Sequence, residues 1–353
     1  MTNLYKTNDP TKSIDHHLNV RRSKNYHSLC CFLTAVVCML LLGSARAQTC
    51  FNSDEIDVPV RSALESAANK YFGMITQGDV ASLRQNAIPS LASSFTAIES
   101  VVNDNKANLA GATATAREPY LLKLDGTAPS ARAEFLCGVF GSHGQTSDSA
   151  VFVLNNLAPG TYGFLSLDVK GAKVPYVVSF VLQQEATNWK LGGLFVKQTQ
   201  IKGHDGNWFL EKARAYKAQN KNHNAWFYFI EAHYLLTPVE FMSTQSTDKL
   251  YDEAQTVKPS DLPPSDLAGA NSKTYRLTAM YPLVVGADLD LIVKFQSADV
   301  SNTSAAFQDN MAVIKAIVTK YPEFRDAFDG IVARATETSG RDYGTMLPMT
   351  EIK

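Results

Sequence analysis

The chain has 353 residues, 45% of them apolar and 19% charged, with a formal net charge of −1. That length allows more than one hydrophobic core, and the near balance of charge argues against a nucleic-acid or anionic-membrane partner, which favours a basic face. A P-loop, a dinucleotide glycine fingerprint, H-E-x-x-H, G-x-S-x-G and C-x-x-C are all absent from the sequence, which removes the readily recognised catalytic classes.

Residues 1–28 are polar, with Arg21, Arg22 and Lys24 near their end. Residues 29–43 form an apolar run, followed by Ser44-Ala45-Arg46-Ala47. A basic leader, a short apolar core and an Ala-x-Ala end describe a secretory signal, so residues 1–47 are expected to be removed and Gln48 to become the first residue. The alternative is a retained anchor, but a spanning helix wants about 20 apolar residues. Residues 1–47 carry six Lys/Arg and two Asp/Glu, so the remaining 306 residues have a net charge of −5. Cys30, Cys31 and Cys38 leave with that segment. Cys50 and Cys137 remain, and two thiols in an exported chain are expected to pair. Lipidation of Cys50 is disfavoured, because Thr49 and Ala47 stand where a lipobox wants a small residue and Leu.

A first helix opens at Asp57-Val58-Pro59, since proline in the first turn sacrifices only an N–H that has no helical partner. Val60, Leu64, Ala67, Tyr71 and Ile75 recur at three- and four-residue steps and mark one buried face. Gln77-Gly78-Asp79 ends it, with Asp79 placed to cap a second helix carrying Val80, Leu83 and Ala87. After Pro89 a further helical stretch runs through Leu91, Phe95, Ile98 and Val102. The period then changes to two. Residues 117–124, 131–140, 149–154 and 163–169 read as strands, followed by a long hairpin over residues 174–200. In that hairpin Tyr176, Val178, Phe180 and Leu182 share one side, and Glu185-Ala186-Thr187-Asn188 is the turn. The hairpin is expected at the centre of the first domain, 48–202. Helices followed by a run of antiparallel strands give an α+β fold with the helices on one face of a curved sheet.

This order of elements, ending on Trp189-Lys190-Leu191-Gly192-Gly193-Leu194-Phe195-Val196, resembles the nuclear-transport-factor-2-like superfamily over about residues 55–202. The resemblance implies a cone-shaped half-barrel whose interior is either a ligand pocket or a packed core. Members of that superfamily include enzymes, binding modules and dimerisation domains. Tyr71, Phe95, Tyr120, Tyr176 and Trp189 are the candidate lining of such a pocket, and equally the ordinary content of a core. Glu134 and Asp168 are the candidate ionisable groups. No catalytic residue carries over. His143, in the Gly-rich turn 141–144, reads as a hairpin tip, and His204-Asp205 as a polar connector.

Phe209, Ala213, Tyr216, Ala225, Phe229 and Ala232, with Pro238 behind them, are similar to one tetratricopeptide-type helical hairpin over about residues 206–238. A single copy is short of the roughly three units that bury a continuous core, so the hairpin is expected to pack against the first domain. Its turn is read at Lys221-Asn222-His223-Asn224. His233 has Phe229 and Thr237 one helical turn away and is not a metal ligand. A helix is expected over residues 239–256, closing an arm of 203–257. Residues 258–273, rich in Pro, Ser, Asp and Gly, read as a linker.

The C-terminal unit, 274–353, is expected to be a small α+β unit with strands at 275–281 and 283–295. Asp288 and Asp290 form a D-x-D without the glycine turn and further donors of a calcium loop, and are expected to face solvent. A helix capped by Ser304 carries Phe307, Met311, Ile314, Val318 and Tyr321 until Pro322 breaks it. A second helix is expected through Phe324, Phe328, Ile331 and Ala335, then an edge strand over 343–352. The functional expectation is an exported bacterial protein, periplasmic or extracellular. It is read as a non-catalytic binding or assembly module for a small molecule or protein partner, without nucleic acid, metal or cofactor and without stable membrane insertion after cleavage. The alternative is an enzyme of hydrolase or isomerase type with its site inside the cone, which needs convergent ionisable groups of shifted pKa.

Overall fold

The structure is a computed structural model and describes residues 48–140, 145–147, 149–269 and 273–353. The expected signal segment and the turn that carries His143 lie outside the described residues. The first unit begins with β1 (Gln48–Phe51) and four helices, α1 (Val58–Gln77), α2 (Val80–Gln85), α3 (Pro89–Ala92) and α4 (Thr96–Leu109). Gly78, at φ 69°, ends α1. Its N–H donates to Ile75 O (3.0 Å), and that of Asp79 to Met74 O (2.8 Å), so two orphan carbonyls are satisfied. The Asp79 carboxylate then accepts from Ser82 N–H (3.0 Å) and starts α2. The helical stretch expected through Leu91 and Val102 is split, because Ser93 and Ser94 form a turn between α3 and α4.

Seven more strands complete this unit: β2 (Thr113–Ala116), β3 (Tyr120–Leu124), β4 (Ser130–Cys137), β5 (Ala150–Leu157), β6 (Gly160–Lys170), β7 (Tyr176–Glu185) and β8 (Asn188–Gln198). An antiparallel sheet runs β1-β3-β6-β7-β8, with β2 also paired to β6. The hairpin of β7 and β8 is therefore the outer half of the sheet rather than its centre. The centre is β6, whose eleven residues are long enough for β3 and β2 to pair end to end along one side. One face of the sheet buries Leu165, Leu167, Val178, Phe180 and Leu182 against Leu64, Tyr71, Ile75, Ile98 and Val102 of the helices. Helix α1 comes so close to β6 that a Cβ on Gly163 would stand 2.1 Å from Leu64. The other face buries Tyr120, Leu122, Tyr162 and Phe164 against Phe135, Phe152 and Leu154 of β4 and β5. Each such fully buried aromatic or leucine stabilises the fold by about 1.5–3 kcal/mol. A disulfide joins Cys50 of β1 to Cys137 of β4, with Cα atoms 4.8 Å apart across 87 residues of sequence.

The second unit starts with a two-stranded turn, β9 (Gln200–Ile201) and β10 (His204–Asp205), and the helical hairpin α5 (Gly206–Ala218) and α6 (Asn222–Leu236). The hairpin turn falls at 219–221, with Asn220 at φ 58°, so residues 222–224 already lie in α6. Residues 239–256 are not one helix. Met242–Thr244 is a strand, β11, which returns to pair with β5 of the first unit, and only then does α7 (Gln245–Gln255) follow. The break is made by Thr244, whose hydroxyl caps α7 by accepting from Thr247 N–H. Beyond it come β12 (Ser265–Ala268), β13 (Thr274–Val285), β14 (Asp288–Gln296), α8 (Thr303–Lys320), β15 (Gly330–Thr336) and β16 (Asp342–Pro348). They form one sheet in the order β12-β13-β14-β15-β16, parallel between β14 and β15 and otherwise antiparallel.

Three expectations change here. The hairpin buries its main face on the C-terminal unit and meets the first domain at the end of α6, through Lys197: Phe227 and Tyr228 of α6 share a core with Phe324, Phe328, Leu291 and Ile331. Helix α6 buries Asn224, Ala225, Phe227, Tyr228, Phe229, Glu231, Ala232 and Leu235, too many for contact with α5 alone. Residues 258–273 are not a free linker, because β12 is an edge strand of the sheet and Asp261 is bonded to His223 and Tyr321. The expected last helix is a 3-10 turn (Pro322–Asp326) and then strand β15, in which Ile331, Ala333 and Ala335 alternate with Val332 and Arg334. The fold is α+β in both halves. Among the described residues no helix is long and apolar enough to cross a membrane.

Candidate binding cleft and interdomain contact

The seven candidate residues do not converge on one cavity. Tyr71, Phe95, Tyr176 and Trp189 lie in the core between the helices and the large sheet. Tyr120 is on the opposite side of that sheet, in the core beneath β4 and β5. The Tyr71 hydroxyl is consumed by the backbone, donating to Trp189 O at 2.7 Å. Burial pushes its pKa up to about 12. Glu134 is 47% exposed and paired to Arg132 at 3.0 Å. Asp168 is 43% exposed and held by Arg117 at 2.6 Å. Alternation explains the separation: neighbouring strand residues point to opposite faces, so aromatics that look like one lining in sequence belong to two cores.

An open cleft of about 240 Å³ lies instead where the second unit begins. Lys202 (φ 53°) and Gly203 (φ 78°) turn β9 into β10. This places Lys202 and His204 at the cleft mouth. Asp205 caps α5, accepting from Trp208 N–H at 2.9 Å. That fixes Trp208 in the first turn, where its indole stacks on His204 with ring centres 3.8 Å apart and stays 37% exposed. Phe209, Tyr228, Leu289 and Phe328 form the apolar floor. The charges along the wall are matched. Lys202 bonds Asp329 (2.6 Å) and lies 3.7 Å from Asp288. The Asp329 hydrogen bond, with its charge and that of Asp288, raises the Lys202 pKa. Lys221 bonds Asp326 at 2.6 Å. The Arg325 guanidinium donates to Met349 O and Ile352 O and so pins the end of the chain. The sequence offered one signal for this site, a tryptophan one turn into a capped helix behind a Lys-Gly-His-Asp turn; the partners from residues 288 and 325–329 are brought in by topology.

A second cluster sits between the units. Lys197 of β8 donates to Tyr234 O and Thr237 O, closing the C-terminus of α6, and its ammonium lies 4.5 Å from the Tyr234 ring. Burial holds the Lys197 pKa down to about 8, against the pull of Glu231. Glu231, 4% exposed, is raised to about 7 by burial, with Lys197 acting the other way. Burial and the Lys197 charge also lower His233, while Asp248 opposes them. Sequence reasoning missed Glu231 because it stands in an apolar helix, Trp226 to Leu236, where only the docked partner reveals what the carboxyl meets. It also placed Asp290 in solvent. Asp290 is 3% exposed, and burial together with Asp288 and Asp329 raises its pKa. Among the described residues no group of three His, Cys, Asp or Glu side chains is arranged to hold a metal ion. No protein-family model matches the chain, and no curated protein and no solved structure is significantly similar to it.

Proposed function

We propose that the chain is an exported, non-catalytic binding or assembly protein whose ligand contact is the cleft beside Trp208. The observation that carries this reading is an exposed indole stacked on His204 over an apolar floor, with Lys202 and Asp326 in ion pairs and Arg325 held by two backbone carbonyls. Such a site offers stacking and hydrogen bonds, which suits a small molecule or one side chain of a protein partner. Native mass spectrometry of the chain purified from the exported fraction is the test. A retained ligand is expected, and Trp208→Ala is expected to lose it. A chain that carries nothing, or that carries the same ligand without Trp208, contradicts the reading.

One observation favours the enzyme alternative. A buried carboxyl with a pKa of about 7 and an amine at about 8 that feel each other's charge are tuned to proton transfer near neutrality. Against it, the Lys197 ammonium is engaged by two carbonyls and Glu231 is almost fully covered. Hydrolase or isomerase turnover that disappears in Glu231→Gln while the fold persists would turn the assignment to this pair.

A further inference from the structure

Gln48 opens β1, which pairs with β3 at one edge of the large sheet. It is exposed, and its side-chain amide reaches across to β4, the edge strand of the smaller sheet. There its Oε1 accepts from the backbone N–H of Glu134 at 2.6 Å. Strand β4 pairs only with β5, so an N–H bonded to β1 is one that the ladder does not use. The other half of the amide, Nε2, has no partner among the described residues. Two residues further along β1, Cys50 is joined to Cys137 of the same β4, and this tether keeps Gln48 close to Glu134. Once residues 1–47 are removed, Gln48 also carries the α-amine of the chain. An α-amine titrates at about 7.7–8.0, so a fraction of it is neutral and nucleophilic at neutral pH.

We propose that Gln48 is a modification site, where the new α-amine closes on the side-chain amide to give an N-terminal pyroglutamyl lactam seated on Glu134. The proposal rests on the export reading, because only cleavage after Ala47 frees that amine. The amine nitrogen attacks Cδ and forms the N–Cδ bond. The Cδ–Nε2 bond breaks, and Nε2 leaves as ammonia with a proton given up by the attacking nitrogen. No oxidant, cofactor or second reactant is consumed, and amine and amide belong to one residue, so no encounter is needed. Negative charge develops on Oε1 during the attack. The Glu134 N–H is already aimed at that oxygen, which is how an oxyanion is stabilised. Oε1 becomes the carbonyl oxygen of the lactam, so the same bond is available to the product. The group that departs is the one without a partner, and the exposed position lets ammonia escape into water. The product carries no terminal charge and offers no amine to an aminopeptidase, which suits the exposed end of an exported chain.

Intact-mass and N-terminal peptide mass spectrometry of the chain from the exported fraction reads both steps. A chain that begins at Gln48 and lacks one ammonia is expected. A chain that begins at Gln48 and retains its ammonia overturns the lactam and leaves the export reading standing. A chain that begins elsewhere overturns the cleavage site together with the proposal that rests on it. The part played by Glu134 is read from kinetics, on the mature chain freed at Gln48 by a protease at time zero. Loss of ammonia is expected to be about tenfold faster in the folded chain than in the same chain unfolded in urea with its disulfide intact. Glu134→Pro removes the N–H at a strand edge, where proline is tolerated, and should bring the folded rate down to the unfolded one. The comparison of folded and unfolded parent chain decides the point even without that variant. A folded rate equal to or below the unfolded one, or one that Glu134→Pro leaves unchanged, would overturn the seat on Glu134.

Discussion

The two units bury different chemistry. In the first, the buried polar residues among those described are all serines: Ser53, Ser130, Ser149, Ser166 and Ser179. In the second they are Asn224, Glu231, Thr237, Thr247, Asp290 and Asn310. The difference follows from architecture. Sheets stacked on helices satisfy their backbone within the ladders, so long apolar strands and one disulfide suffice. The second unit docks a helical hairpin and irregular turns onto a sheet, and the turn backbones need side-chain partners. Asn224 donates to Glu323 O (2.6 Å), and Asn310 donates to Tyr343 O (3.0 Å) and Thr345. His223 lies between Asp261 (2.8 Å) and Glu323 (3.2 Å). These bonds fix one packing, although the side-chain oxygens of Asn224, Thr237 and Asn310 are buried without a hydrogen-bond partner among the described residues, and each missing partner is costly.

The strongest way to break the contrast is to empty one core at a time. Phe152→Ala in the first unit and Phe324→Ala in the second remove fully buried rings. Each should cost about 3–5 kcal/mol. Because β11 is shared, calorimetry should show one transition that both substitutions lower; two transitions, each moved by a single substitution, would mean the units are uncoupled. The disulfide sharpens the comparison from the other side. Cys137→Ser should cost about 2–4 kcal/mol. The loss of amide protection should concentrate in β1 and β4 and leave β12–β16 unchanged, as hydrogen exchange would read.

Next in size is Glu231. Its folded pKa, about 7, is above the ordinary glutamate value of 4.5, so the folded state holds a proton that the unfolded chain releases between those values. Stability should therefore fall as pH rises through that window, by up to about 3 kcal/mol. Urea unfolding of Glu231→Gln should lack most of this slope; an unchanged slope would place its origin elsewhere. The smallest effect is at Asp261. Burial works against its charge, but bonds from His223 and Tyr321 prevail and lower its pKa to about 2. Its contribution should be complete above the unfolded pKa and disappear as pH falls through about 2. With 42% of the side chain exposed, it should amount to less than about 1 kcal/mol. Asp261→Asn should flatten the acid limb of an unfolding profile, and an unaltered limb would remove Asp261 from the account.

Local pattern carried the first unit well. Pro59, Gly78 and Asp79 marked helix ends by backbone chemistry that needs no tertiary partner, and β6, β7 and β8 were legible as runs of β-branched and aromatic residues bounded by turn formers. The second unit was less legible because its residues have two plausible partners. Ile331 and Ala335 fit a helix continuing from Phe324, and only pairing of β15 with β14 and β16 decides for a strand. Residues 265–268 carry linker chemistry in isolation and become a strand because β13 offers an open edge. The cleft was hidden for the same reason: Trp208 is readable, but Asp329 and Arg325 arrive from more than a hundred residues away.

The path of the chain through β11 has a consequence for synthesis. Met242, Val239 and Phe241 fill the core beneath β4 and β5. That core is therefore incomplete when the last residue of β8 emerges from the ribosome. Its closure waits for some forty more residues, which include the whole of α5 and α6. During that interval the apolar side of β5 has an open edge, and the helices pass before their own sheet exists. The first unit would thus be finished late, by a segment that belongs to the second, and a chain truncated at residue 202 would leave the first unit with a permanently open edge.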